Sequence, residues 1–123
     1  MATLSKLCLQ PAGTTGTGLA VKVAATSGTG TAIHTASTTT TTIDEIWLYA
    51  VNSSASSVKL TIQFGETTAP DGNIEVTVQP EAGLVTVIPG LPLQGNATAK
   101  VVRAFAATAD VILIHGFVNR ITA

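Results

Sequence analysis

Apolar residues in this chain recur at every second position in short runs, and clusters of Gly, Pro, Asn, Asp and Ser separate the runs. A period of two is the repeat of a strand, whose successive side chains point to opposite faces. Val58, Leu60, Ile62 and Phe64 alternate with Lys59, Thr61 and Gln63, and Ile74, Val76 and Val78 alternate with Glu75, Thr77 and Gln79. Each run predicts a strand with one wet face. Between them lies Pro70-Asp71-Gly72, where proline presets one φ and glycine tolerates a positive one, so the two runs read as a hairpin.

The same reading extends in both directions. Residues 84–88 form the next strand, and Pro89-Gly90-Leu91-Pro92 is expected to end it, because proline donates nothing to a ladder. Further strands are predicted over 97–106 and 111–121, the latter with Gly116 as a bulge or a point of close backbone approach. Residues 43–51 are apolar on both faces over Ile46-Trp47-Leu48-Tyr49-Ala50-Val51, which marks a central strand or one whose second face meets a neighbouring subunit. The first third is less regular. Residues 3–9 and 19–25 read as short strands, 11–18 are rich in Gly and Thr without a period, and 26–42 are an edge strand or a long loop ending in five consecutive threonines.

About eight or nine short strands and no helical period predict an all-β fold, an antiparallel β-sandwich or a jelly-roll-like barrel. Residues 1–18 are expected as an extended N-terminal arm or edge strand, with 19–123 as one sandwich domain.

Composition changes this picture in one respect. Only 13 of 123 residues are charged, six basic and seven acidic, while 46% are hydrophobic. A soluble domain carries roughly a quarter charged residues. A bland exterior of Thr, Ser, Ala and Gly points to a surface that other subunits cover. The net charge of −1 is spread singly along the chain, which argues against nucleic-acid binding. The longest apolar run is far short of the ~18 residues of a membrane span, and no export signal is visible at the start. One cysteine, Cys8, precludes an internal disulfide and suits a reducing cytoplasm.

Raw material for catalysis is sparse. His34 and His115 are the only histidines, and both read as satisfied structural residues; with Cys8 they do not make a zinc site. Asp44 and Glu45, adjacent on a strand, point to opposite faces and cannot act as a carboxylate pair. The loop carrying Glu66, Asp71 and Asn73 lacks the acidic spacing of a calcium loop. Asn52-Ser53-Ser54 and Asn96-Ala97-Thr98 match a glycosylation acceptor but read as turn asparagines. The glycines at 13, 16 and 18 lack the Lys-Ser/Thr and the helix of a phosphate loop. No enzyme activity, cofactor or metal is expected. Trp47 and Tyr49 share a strand face and are the aromatic pair that a sugar-binding platform would use.

The runs at 43–52 and 58–65, the segment Pro89-Gly90-Leu91-Pro92-Leu93 and the run Val102-Arg103-Ala104-Phe105-Ala106 together resemble small head decoration, or capsid cement, proteins of tailed bacteriophages. The likeness spans roughly residues 43–121. It implies a β-rich virion protein, made in the host cytoplasm, that binds the major capsid protein on the outside of an assembled shell. Such a protein is usually a homotrimer or a dimer that clamps neighbouring subunits. On that reading Thr3, Leu4, Lys6, Leu7 and Leu9 of the arm are the expected capsid contacts. Trp47, Tyr49 and Val51, with Thr40 and Thr42 of the threonine run, are the expected oligomer interface. The alternatives are a carbohydrate-binding or adhesive module at a virion or fibre surface, and a tail or neck component.

Overall fold

The computed structural model describes residues 2–123. Nine strands follow in order: β1 Thr3–Cys8, β2 Val21–Lys22, β3 Thr31–Thr35, β4 Ile43–Asn52, β5 Val58–Phe64, β6 Asn73–Val78, β7 Val85–Gln94, β8 Val101–Ala106 and β9 Ile112–Thr122. They form two antiparallel sheets packed face to face as a β-sandwich. One is five-stranded, in the order β1-β9-β4-β7 with β2 also on β9; the other is four-stranded, in the order β3-β8-β5-β6. The all-β expectation holds, and among the described residues there is no helix.

The core is what the alternation demands. From β4, Ile46, Leu48 and Ala50 point inward; from β5, Leu60 and Ile62; from β8, Val102, Ala104 and Ala106; from β9, Ile112, Ile114 and Val118. All are fully buried. The expected hairpin is β5–β6, with Leu60 opposite Val76 and Ile62 opposite Ile74. Its turn is closed by the Asn73 N–H donating to the Pro70 carbonyl at 3.1 Å.

β4 is central, flanked by β9 and β7. Its pairing with β9 runs unbroken from Ile43 opposite Ile121 to Asn52 opposite Ile112. Gly116 lies opposite Leu48 within that ladder, so it is a point of close approach and not a bulge. A Cβ added to Gly116 would stand 2.1 Å from the Trp47 carbonyl oxygen.

Three sequence expectations are corrected. Pro89 and Pro92 do not end the strand they follow: β7 continues through both to Gln94, opposite Trp47 and Glu45 respectively. β7 is an edge strand, where a missing donor is tolerated, and the register shifts twice beside it, between Ile46 and Trp47 and between Leu48 and Tyr49. Gly90, at φ +83, is the residue skipped at the first shift. The predicted strand over 19–25 shrinks to the two residues of β2, and that over 97–106 begins only at Val101.

The third correction concerns the wet face of β5. Thr61 and Gln63 are 2% and 3% exposed. The glycine-rich loop before β3 folds across this face: the Gly30 N–H donates to Gln63 Oε1 and Gln63 Nε2 donates to the Gly28 carbonyl, both at 2.8 Å. Gly30 sits so close to β8 that a Cβ there would meet the Ala104 carbonyl oxygen at 2.6 Å. Part of the low-complexity segment is therefore a fixed cover over the four-stranded sheet. Gln63→Ala should cost about 1–3 kcal/mol, the range for stranding buried backbone donors and acceptors. Hydrogen exchange at Gly30 should rise with it; unchanged protection there would show that the loop is held by other contacts.

Within residues 1–18, Thr3–Cys8 form β1, which pairs with β9 from Thr3 opposite Thr122 to Cys8 opposite Phe117. Leu9 then turns into the core at 5% exposure.

Candidate functional site

Two constellations stand out, one on each side of the five-stranded sheet. The first faces inward. Asp44 lies on the core side of β4, with a side chain fully shielded from solvent. Its register partner on β9 is Arg120, which reaches it with a two-pronged grip, Nε to Oδ1 at 2.8 Å and Nη2 to Oδ2 at 2.9 Å. From the opposite sheet, His34 on β3 donates through Nε2 to Asp44 Oδ2 at 2.8 Å. The other imidazole nitrogen, Nδ1, accepts the Gln10 backbone N–H at 3.1 Å, which fixes the hydrogen on Nε2.

This network joins both sheets and the segment after β1. Burial pushes the Asp44 carboxyl up, but the hydrogen bonds from Arg120 and His34 and the charge of Arg120 outweigh it and bring it from 3.8 down to about 2. Arg120 is raised in return, first through its hydrogen bond to Asp44. A histidine bonded to an aspartate has the outline of a general base. Here, however, both ring nitrogens are occupied and the side chain is wholly buried, so no lone pair reaches a substrate. The expected structural role of His34 fits this geometry, and sequence reading gave no sign of its partners.

The second constellation faces outward, built by the residues of β4 that alternate with the core. Glu45, Trp47, Tyr49 and Val51 lie opposite Asn119, Phe117, His115 and Leu113 of β9. All are half-buried. The Trp47 and Phe117 rings stack, centroids 5.8 Å apart and 11° from parallel. Lys6 of β1 lays its ammonium over the far side of this row, 4.7 Å from the Phe117 centroid. Trp47 Nε1 donates to Glu45 Oε1 at 2.7 Å, and Asn119 Nδ2 donates to the same oxygen at 3.0 Å. The Asn119 and Trp47 hydrogen bonds hold the Glu45 carboxyl below the usual range. Gly90 of β7 lies against the six-membered ring of Trp47, where a Cβ would come within 2.8 Å.

The indole is thus stacked, wedged and hydrogen-bonded within the surface, which leaves it poorly placed as a free sugar platform. One end of the face is apolar across three strands: Leu4, Ile121 and Ile43 stand side by side, with Leu4 68% and Ile43 38% exposed.

The other predicted site residues are distributed as follows. Thr3, Leu4 and Lys6 are exposed on β1, and Leu7 is half-buried against the core. Leu9 and Thr42, at 5% and 3% exposure, have almost no surface to offer a partner, since Leu9 fills the core and Thr42 closes the turn into β4. Thr40 is exposed, and its carbonyl accepts from Gln94 Nε2. Cys8 is exposed at the end of β1. Asn52 is the last residue of β4, and its side chain holds the turn that follows: Nδ2 donates to the Ser56 and Val78 carbonyls, and Oδ1 accepts from Ser54. Among the described residues no three His, Cys, Asp or Glu side chains cluster as metal ligands.

The fold and surface define a β-sandwich whose five-stranded sheet has an outer face with few charges and one apolar end. No family model, curated protein or solved structure matches the chain.

Proposed function

We propose that this protein is a non-enzymatic virion component that binds the outside of an assembled capsid and bridges its subunits, with the outer face of the five-stranded sheet as a contact surface. The observation that carries this reading is the composition of that face. Across β1, β9 and β4 its rows read Leu4-Ile121-Ile43, Lys6-Asn119-Glu45 and Cys8-Phe117-Trp47, so Lys6 and Glu45 are the only charges over these three strands, with Lys22 of β2 beside Leu113 adding one more at the far end. A sheet face exposed to water alternates toward charged and polar residues, whereas a face covered by protein keeps aromatic and aliphatic ones. The resemblance to capsid cement proteins supports the same assignment and supplies the partner, the major capsid protein. Rigid packing of Trp47 on Phe117 suits a clamp, because pre-ordered aromatic side chains lose little entropy on docking.

The test uses purified protein and undecorated heads. Wild-type protein is expected to co-sediment with the heads and raise their resistance to heat or chelators. Tyr49→Glu, which puts a charge in the middle of the face without touching the core, should reduce binding at least tenfold. Heads that neither bind the wild-type protein nor gain resistance would refute the proposal.

A further inference from the structure

We infer that β1 is a self-pairing edge, and that two copies of the chain join β1 to β1 antiparallel about a two-fold axis through Ser5. The inference concerns the isolated protein and stands or falls apart from the capsid reading.

Sheet edges offer unpaired N–H and C=O groups, and proteins usually block them. Two of the four lateral edges here carry such devices. β7 has Pro89, Pro92, a positive-φ Gly90 and two register shifts. β3 is overlaid by the chain after β1, whose Gln10 and Pro11 carbonyls accept from the Thr35 N–H and hydroxyl. β6, like β1, has no proline or bulge and its charge is held back, Glu75 pairing with Lys59 at 2.9 Å, but its apolar Ile74, Val76 and Val78 turn onto the core and its outward Glu75 and Thr77 offer a partner no apolar side chain. β1 differs. It has six residues without proline or bulge, paired on one side only, and it bears Leu4 at 68% exposure. Its one charge, Lys6, would normally blunt an edge, but the ammonium is drawn back over Phe117 and away from the open side.

Self-pairing has a definite register. Directly opposed residues of an antiparallel pair point to the same face, so a sheet that stays continuous must set outward Leu4, Lys6 and Cys8 against outward residues of the second copy. Within Thr3–Cys8 a two-fold axis can then pass through Leu4, Ser5, Lys6 or Leu7. An axis at Lys6 sets two ammonium groups directly opposite each other, which is destabilising. An axis at Leu4 pairs only Thr3 to Ser5, and one at Leu7 only Lys6 to Cys8. The axis at Ser5 pairs Thr3 through Leu7, with no like charges opposed, and lays the Lys6 stem of the second copy along Leu4. One strand pair covers less surface than a permanent dimer needs, so the dimer should dissociate on dilution.

Sedimentation equilibrium on the full chain tests the association, and cysteine cross-linking in a Cys8→Ser background tests the register. Wild-type protein is expected to move from monomer to dimer as concentration rises. Ser5→Cys should form a disulfide-linked dimer under air oxidation, because opposed Cα atoms lie ~5 Å apart. Thr3→Cys should not, since its symmetry mate is four residues away along the strand, ~13 Å. Both positions are exposed, so neither change threatens the fold. A monomer at every concentration up to hundreds of micromolar would overturn the inference. So would a dimer that fails to cross-link through Ser5→Cys or that cross-links through Thr3→Cys.

Discussion

Asp44→Asn is expected to lower the stability of the sandwich by about 3 kcal/mol, the lower end of the cost of removing one partner from a buried ion pair. The asparagine keeps the shape but leaves the Arg120 guanidinium without its counter-charge. The cost sits at the lower end because Arg120, with 23% of its side chain exposed, can recruit water. For a chain of this size the loss corresponds to a fall in melting temperature of roughly 10 °C.

The same carboxyl gives wild-type stability an acid limb. Its value is 3.8 in an open chain and about 2 in the folded protein, so acid protonates the unfolded chain first and pulls the equilibrium toward it. The stabilisation is complete above about pH 4 and is lost progressively as pH falls to about 2. The difference amounts to about 2 kcal/mol, at ~1.4 kcal/mol per pH unit. Urea titrations at several pH values should show this slope in the wild type and a shallower one in Asp44→Asn. Identical slopes in both proteins would mean that other carboxylates set the acid limit.

Gly116→Ala is the second large effect. The added methyl would sit 2.1 Å from the Trp47 carbonyl oxygen, where backbone faces backbone in the middle of the β4–β9 ladder. Neither strand can withdraw, because β4 is held by β7 on its other side and β9 by β1 and β2. A loss of at least about 3 kcal/mol is expected, among the largest effects of single substitutions. Gly83→Ala is the informative contrast. Its Cβ meets nothing within 4 Å, but its φ is +71, so only the left-handed backbone penalty of about 1 kcal/mol applies. Thermal melts of the two variants should separate widely; similar melting temperatures would show that the ladder yields at Gly116.

The fold was legible where alternation carries the information. β4, β5, β6 and β9 were visible because one face of each packs on a single core, and the period of two records which residues do so. Gly116 was visible because glycine inside an apolar strand needs a reason. What alternation cannot record is what crosses a face. Thr61 and Gln63 look solvent-facing from their neighbours, yet a loop more than thirty positions upstream buries Gln63. The run through Pro89 and Pro92 was misread because proline breaks a ladder only where a donor is required, and nothing in that run marks it as an edge strand.

The inward network was invisible for a related reason. Asp44 was read only against Glu45, its chain neighbour, whereas its partners lie 10 positions upstream and 76 downstream. Apolar residues announce burial by type, but a buried aspartate is recognisable only once the topology brings its counter-charges together. The outward face was half legible: Trp47, Tyr49 and Val51 were singled out from β4 and Lys6 from β1, while the contacts of Phe117 and Gly90 with Trp47 and of Lys6 with Phe117 join strands that the sequence does not place side by side.

The pairing of Thr3 with Thr122 also has a mechanical consequence. Chain attached before Thr3 and chain attached after Thr122 leave the same corner of the sandwich side by side. A force drawing those two points apart loads the β1–β9 hydrogen bonds one at a time, like a zipper, whereas a force along the strands would have to shear the whole ladder at once. A lattice held through this corner would therefore yield early and locally at β1, and the Asp44 rivet farther inside would keep the two sheets together after that first strand had peeled away.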